Sequence, residues 1–301
     1  MKSMRSGFLL LVLAVVLLAT APIQAQKIDP LTGKVVEQAP PPEPVVADLT
    51  EANEKVKAQD YAGAEAILAG LQTDFPDDER LLALRGELLV ALSRIDEAIP
   101  ILRKVAGIAP ERPRVYFQLG TALASSGDKS GAIEAFGKEL EHSKEPQVRL
   151  LAHMNRSMLY QQQRQWSEAA SELESALELD PSRPQVWADL VTIHLDADDL
   201  DGAVSALKDG SDAGQRSARH YYSVGARLFK AERFSDARSS FTEVLIIEPT
   251  HARAVRSLAA TLEELGEEEA ALELWARYLE LAPGAADADQ VSQKLNSSDK
   301  R

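Results

Sequence analysis

Seven alanines stand at near-fixed intervals along the chain: Ala64, Ala98, Ala132, Ala169, Ala203, Ala237 and Ala271. The gaps are 34, 34, 37, 34, 34 and 34 residues. A sequence with this period builds one unit repeatedly, each copy meeting its neighbour in the same geometry. The spacing predicts an array of repeats that binds partners, not a single-domain enzyme.

Four residues after every alanine comes a bulky apolar residue: Leu68, Leu102, Phe136, Leu173, Leu207, Phe241 and Trp275. Four residues is about one helical turn, so each pair shares a face. Twelve residues after five of the alanines comes a proline, namely Pro76, Pro110, Pro181, Pro249 and Pro283, which ends the helix. Upstream lies a second apolar run with i, i+3, i+4, i+7 spacing, as in Tyr116, Leu119, Gly120 and Leu123 or Tyr221, Val224, Gly225 and Leu228. Each unit is therefore helix, turn, helix. Gly86, Gly120 and Gly225 recur at one place in the first helix, where glycine costs about 1 kcal/mol against alanine. Close approach of the second helix is the expected reason.

These residues resemble the tetratricopeptide repeat (TPR) family. Its pattern, roughly W-x2-L-G-x2-Y, then A-x3-F, then P, is nearly complete in Tyr116–Phe136 and Tyr221–Pro249. Residues 79–110 match through Leu82, Gly86, Leu89, Ala98, Leu102 and Pro110. Residues 150–181 depart from it with Arg156-Ser157 in place of leucine-glycine, and residues 184–217 lack the closing proline. Three extra residues fall near Ser143–Gln147, where an irregular joint is expected. The resemblance implies an all-α, right-handed α-solenoid of about seven helix-turn-helix units, near 45–78, 79–112, 113–149, 150–183, 184–217, 218–251 and 252–283.

The ends differ in kind. Lys2 and Arg5 precede the apolar run Phe8–Ala19, and small residues follow, so 1–25 reads as a secretory signal cut after Ala25. Even Phe8–Ile23 is shorter than the about 20 residues a spanning helix needs. Membrane attachment would follow only if this segment stayed uncleaved. The expectation is a periplasmic or secreted protein. Residues 26–44, with Pro40, Pro41, Pro42 and Pro44, read as an extended linker. Residues 284–301 read as a capping helix and tail, with Ala288, Val291 and Leu295 as its apolar stripe and Asp287, Asp289, Gln290 and Lys294 facing water.

Chemistry has little footing. The chain has no cysteine, which removes disulfides and thiolate chemistry. No two of the five histidines stand four apart, and no phosphate loop or nucleophile elbow occurs. No enzyme, metal or cofactor is expected. The net charge of −14 argues against nucleic acid as a partner.

In the family, the first helices of successive units line a concave groove. Carried over, this places Phe117, Thr121, Met154, Met158, Thr192, Leu195, Tyr222, Phe229 and Arg256 inward, with Asn155, Gln161 and Gln162 adding polar capacity. Methionine adapts its shape to apolar side chains. The family's clamp for a C-terminal carboxylate is absent, since Leu49, Ala83, Glu87, Phe117 and Thr121 fill its places and only Asn53 matches. Arg80, Arg114, Arg219 and Arg253 share one place near the start of four first helices and form a candidate row for carboxylates. The reading is an exported scaffold that binds a protein or peptide partner. The alternative is a cell-envelope assembly or polysaccharide-export component guiding a polymer.

Overall fold

The computed structural model describes residues 43–298; the expected signal segment, most of the linker and the last three residues lie outside them. The described residues form fifteen α-helices and no strand. They run α1 (Glu43–Lys57), α2 (Tyr61–Asp74), α3 (Glu79–Ala91), α4 (Ile95–Ile108), α5 (Val115–Ser126), α6 (Lys129–His142), α7 (Pro146–Gln162), α8 (Trp166–Leu179), α9 (Pro184–Asp196), α10 (Leu200–Asp212), α11 (Ala218–Lys230), α12 (Phe234–Ile247), α13 (Ala252–Glu264), α14 (Glu268–Leu281) and α15 (Ala288–Ser298). Glu43 and Pro44 of the expected linker already belong to α1. The chain divides into two compact units between Val148 and Arg149, directly after the three extra residues.

The period of the sequence is the period of the packing. All seven alanines are buried, none more than 1% exposed, and so are their seven bulky followers. The first unit gathers Leu49, Ala64, Leu68, Leu81, Leu82, Val105 and Val115 into one core. The second gathers residues from Leu150 to Val291. The glycines stand where second helices press closest. A methyl on Gly120 would lie 2.9 Å from the Phe136 ring, and one on Gly225 would lie 2.9 Å from Phe241.

The turns repeat as faithfully. Gln59, Ser93, Gly127, Arg164, Asp198, Glu232 and Gly266 all have positive φ, one in the turn of each pair. Five of them are not glycine, and L residues accept this conformation at a cost of about 1 kcal/mol or more. The residue that follows often caps the second helix: Asp60, Asp128 and Asp199 accept from the backbone N–H of Gly63, Gly131 and Gly202. Pro76, Pro110, Pro181, Pro249 and Pro283 each come directly after a helix C-cap. The pair α9–α10, which lacks that proline, turns at Gly214 with φ +78°.

Within each unit, side chains tie several pairs to the next. Lys104 Nζ donates to the Pro76 carbonyl at 2.7 Å, and Arg277 donates to the Pro249 carbonyl at 2.6 Å. Arg227 donates to the Leu195 carbonyl at 2.8 Å, covering the open end of α9. The cap α15 is held by charge as well as by buried Val291. Asp287 accepts from Arg256 and Tyr278, while Lys294 pairs with Glu263 and sits over the Trp275 ring. Asp287 and Lys294 thus serve the packing rather than only facing water.

Candidate functional site

The expected binding residues fall in both units, and each unit has its own geometry. In the first unit Phe117 is a core residue, 6% exposed, with its ring edge-on to Phe136 at a centroid distance of 5.4 Å. It cannot stand in a groove, because its place on α5 puts it against the second helix of its own pair. Thr121 is half-buried and donates its hydroxyl to the Phe117 carbonyl at 2.9 Å.

Arg114 does not join a free row either. It is the residue before α5, with φ +67°, and its charge acts on two carboxylates, one half-buried and one buried. One is Glu87, whose Oε1 accepts from Gln118 and whose carboxyl is pushed up by burial against the pull of Arg114 and Arg112. The other is Glu139 of α6, 2% exposed, which accepts from the Phe117 N–H at 3.0 Å and so caps α5 from a neighbouring helix. Burial pushes Glu139 up too, opposed by the Phe117 and Arg114 backbone N–H groups and the Arg114 charge. Arg80 pairs with Asp78 at 3.4 Å.

The second unit keeps more of the expected face. On α7, Met154, Asn155 and Met158 are half-buried, and Asn155 spends its amide on the Leu151 carbonyl at 2.8 Å. On α9, Thr192 donates to the Ala188 carbonyl at 2.8 Å, while Leu195 is 7% exposed and belongs to the core. On α11, Arg219, Tyr222 and Phe229 share a face by their spacing. Tyr222 is half-buried, with His251 at 5.3 Å and Phe241 at 5.7 Å between centroids. Phe229 packs edge-on to Phe234 at 5.4 Å. On α13, Arg256 is committed to Asp287 at 2.6 Å.

Arg219 and Arg253 remain. Both are exposed, and neither forms an ion pair with any described residue. They occupy the same place on α11 and α13. His220, beside Arg219, is pushed down by burial and then by the Arg219 charge, and its Nδ1 lies 2.8 Å from the Ser217 hydroxyl. The arrangement offers two exposed guanidinium groups at equivalent places on α11 and α13, the first of them one turn before a half-buried aromatic ring. That is chemistry for holding carboxylates and apolar side chains. Among the described residues no group of His, Asp and Glu could hold a metal ion.

Of the carboxylates that organise the two units, Glu139 and Glu172 were not singled out by sequence, and Glu87 stood out only as a residue that breaks the family's clamp. Glu172 accepts from Arg156 at 3.0 Å and lies 2.8 Å from His153 Nδ1. The Arg156-Ser157 departure was the available signal, since a cation at an apolar position needs an anion across from it.

Comparison with known proteins agrees with this architecture. Two family profiles, each described as Tetratricopeptide repeat, match residues 160–228 and 228–295 in one case and 49–113 in the other. The chain belongs to the tetratricopeptide-repeat family. A TPR repeat-containing protein of Methanocaldococcus jannaschii is 25% identical over 270 residues, covering 83% of this chain and 46% of the relative. The chain therefore spans about half the length of that protein. The crystal structure of the C-terminal part of a TPR repeat-containing protein from Cytophaga hutchinsonii matches with a TM-score of 0.56 at 15% identity, covering 80% of this chain and 98% of that one. That likeness concerns the fold alone.

Proposed function

We propose that the chain is an exported tetratricopeptide-repeat scaffold that holds a protein or peptide partner on the first-helix face of its second unit and catalyses nothing. One observation carries this reading. Arg219 and Arg253 stand exposed without ion pairs among the described residues, at the same place on α11 and α13, and half-buried Tyr222 lies one turn after Arg219. Exposed charge at one repeated position supports a partner that supplies carboxylates, while half-buried Tyr222 on α11 and Met158 on α7 support apolar anchors. Polymer guidance needs exposed aromatic rings for sugars, and Phe117, Tyr222 and Phe229 all have ring partners within the protein.

The test is capture of partners by the full chain from a cell-envelope extract, followed by titration with the captured protein. Tyr222→Ala and Met158→Ala should each weaken binding about thirtyfold, the loss expected of anchors worth about 2 kcal/mol. Arg219→Ala and Arg253→Ala should chiefly reduce the salt dependence of association. Wild-type binding by all four, with loss on Lys208→Glu in α10, would move the site to another face. Export rests on Lys2, Arg5 and the short apolar run that follows. Mass spectrometry of the native protein should find a mature terminus at Gln26, and an intact Met1 in the membrane fraction would overturn cleavage.

A further inference from the structure

The pair α7–α8 buries Leu150, Leu159 and Leu173, but one part of its interior differs from that of α9–α10 and α11–α12. One period on from His153, Arg156 and Ser157 stand Trp187, Leu190 and Val191, and two periods on stand Tyr221, Val224 and Gly225. Leu190, Val191 and Val224 are buried apolar side chains. In α7 the same places carry an ionic knot. Arg156 Nη1 meets Glu172 Oε1 at 3.0 Å, and Glu172 Oε2 meets His153 Nδ1 at 2.8 Å. Arg156 Nη2 reaches the Tyr160 hydroxyl at 3.3 Å, but its Nε is buried with no hydrogen-bond partner. Ser157, fully buried, donates to the Ala169 carbonyl at 2.8 Å.

An ion pair withdrawn from water roughly breaks even against apolar residues of the same volume, and often loses to them. An orphaned buried donor costs more still. Leu190 and Val224, by contrast, gain the transfer of apolar surface out of water. In a stack of repeats each unit is held by itself and its neighbours, so the pair with the weakest interior opens first.

We infer that α7–α8 is a preset opening point: a helix pair that unfolds locally and reversibly ahead of α9–α14, because an ion pair with an orphaned donor replaces part of the apolar contact between its helices. Water and salt solvate the knot once it opens, so the opening grows easier with ionic strength, the reverse of a pair closed by apolar contacts. Its dependence on salt and on Glu172 separates it from fraying at the edge of the second unit, which neither would govern.

Hydrogen–deuterium exchange on the full-length protein, read by mass spectrometry, tests this. Buried amides of α7–α8 should exchange about tenfold or more faster than those of α11–α12, with the gap widening at high salt. Glu172→Gln should accelerate exchange in α7–α8 further and leave α11–α12 unchanged. The combined change His153→Tyr, Arg156→Leu and Glu172→Leu should slow exchange in α7–α8 about tenfold or more, again locally. Equal protection of the two pairs in the wild-type chain overturns the inference whether or not the triple variant folds. So does a Glu172→Gln variant whose α7–α8 amides exchange at the wild-type rate.

Discussion

Gly120→Ala and Gly137→Ala add the same methyl to adjacent helices, and the structure assigns them opposite outcomes. Both glycines lie inside helices, α5 and α6, so alanine should gain about 1 kcal/mol at either place from backbone propensity. At Gly137 nothing lies within 4 Å of the new carbon. At Gly120 the new carbon meets Phe136 Cδ1 and Cε1 at 2.9 Å. The Phe136 ring has little room to retreat, being 1% exposed and braced edge-on by Phe117. Overpacking of this kind costs about 1–3 kcal/mol. Gly137→Ala should therefore raise stability by up to about 1 kcal/mol, and Gly120→Ala should lower it by up to about 2 kcal/mol. Thermal melts followed by circular dichroism should separate the two by several degrees, since about 1 kcal/mol moves the midpoint of a chain this size by roughly 2–4 °C. If Gly120→Ala melts together with Gly137→Ala, at or above the parent, the packing reason for the recurrent glycine is wrong.

Ala237→Leu should cost about 1–3 kcal/mol by overpacking the α11–α12 crossing, and an unchanged urea midpoint would refute the assigned register. Glu139→Ala should cost about 1–3 kcal/mol, because the Phe117 N–H loses its acceptor in the interior, while Glu139→Gln keeps an acceptor and should be far milder. Because burial raises the Glu139 carboxyl in the folded state, its contribution is largest in acid and is lost as pH rises through that raised value. The stability of Glu139→Gln relative to the parent should grow with pH over the same interval, and parallel pH profiles would contradict it. Asp287 has the opposite sign. Hydrogen bonds from Arg256 and Tyr278 pull its carboxyl down, so its contribution is present above the ordinary carboxylate range and lost on acidification. Asp287→Asn should flatten that acid limb in melts taken against pH.

The sequence made legible whatever repeats with the period. Alanine, follower, glycine and proline each have a partner inside the unit or in the one adjoining it, so their spacing alone locates the contact. Phe117 was misjudged because family register gives the helix face but not the depth at which Phe136 meets it. Arg80 was spent two residues away on Asp78, Arg256 was spent 31 residues away on Asp287, and Arg114 acts on carboxylates of other helices that carry no periodic mark. The positive-φ turns were readable at Gly127 and Gly266 but not at Gln59, Ser93 or Glu232, where side-chain identity conceals the backbone conformation. Glu139 and Glu172 escaped for a related reason. Each serves a different helix, 22 residues from Phe117 in one case and 19 from His153 in the other, a distance that no local pattern reports.

The ties from Lys104 to Pro76 and from Arg277 to Pro249 have a direction. In both, the later repeat supplies the cation and the earlier one the carbonyl, 28 residues behind it. Tandem duplication of one period at such a tie copies donor and acceptor together, and lengthening of this kind leaves no carbonyl stranded. Removal of the last pair does the opposite, since it strips the donor from the repeat left behind and opens the Pro249 carbonyl to water. Growth by whole periods keeps this wiring intact, whereas truncation ends it at a carbonyl that water must serve.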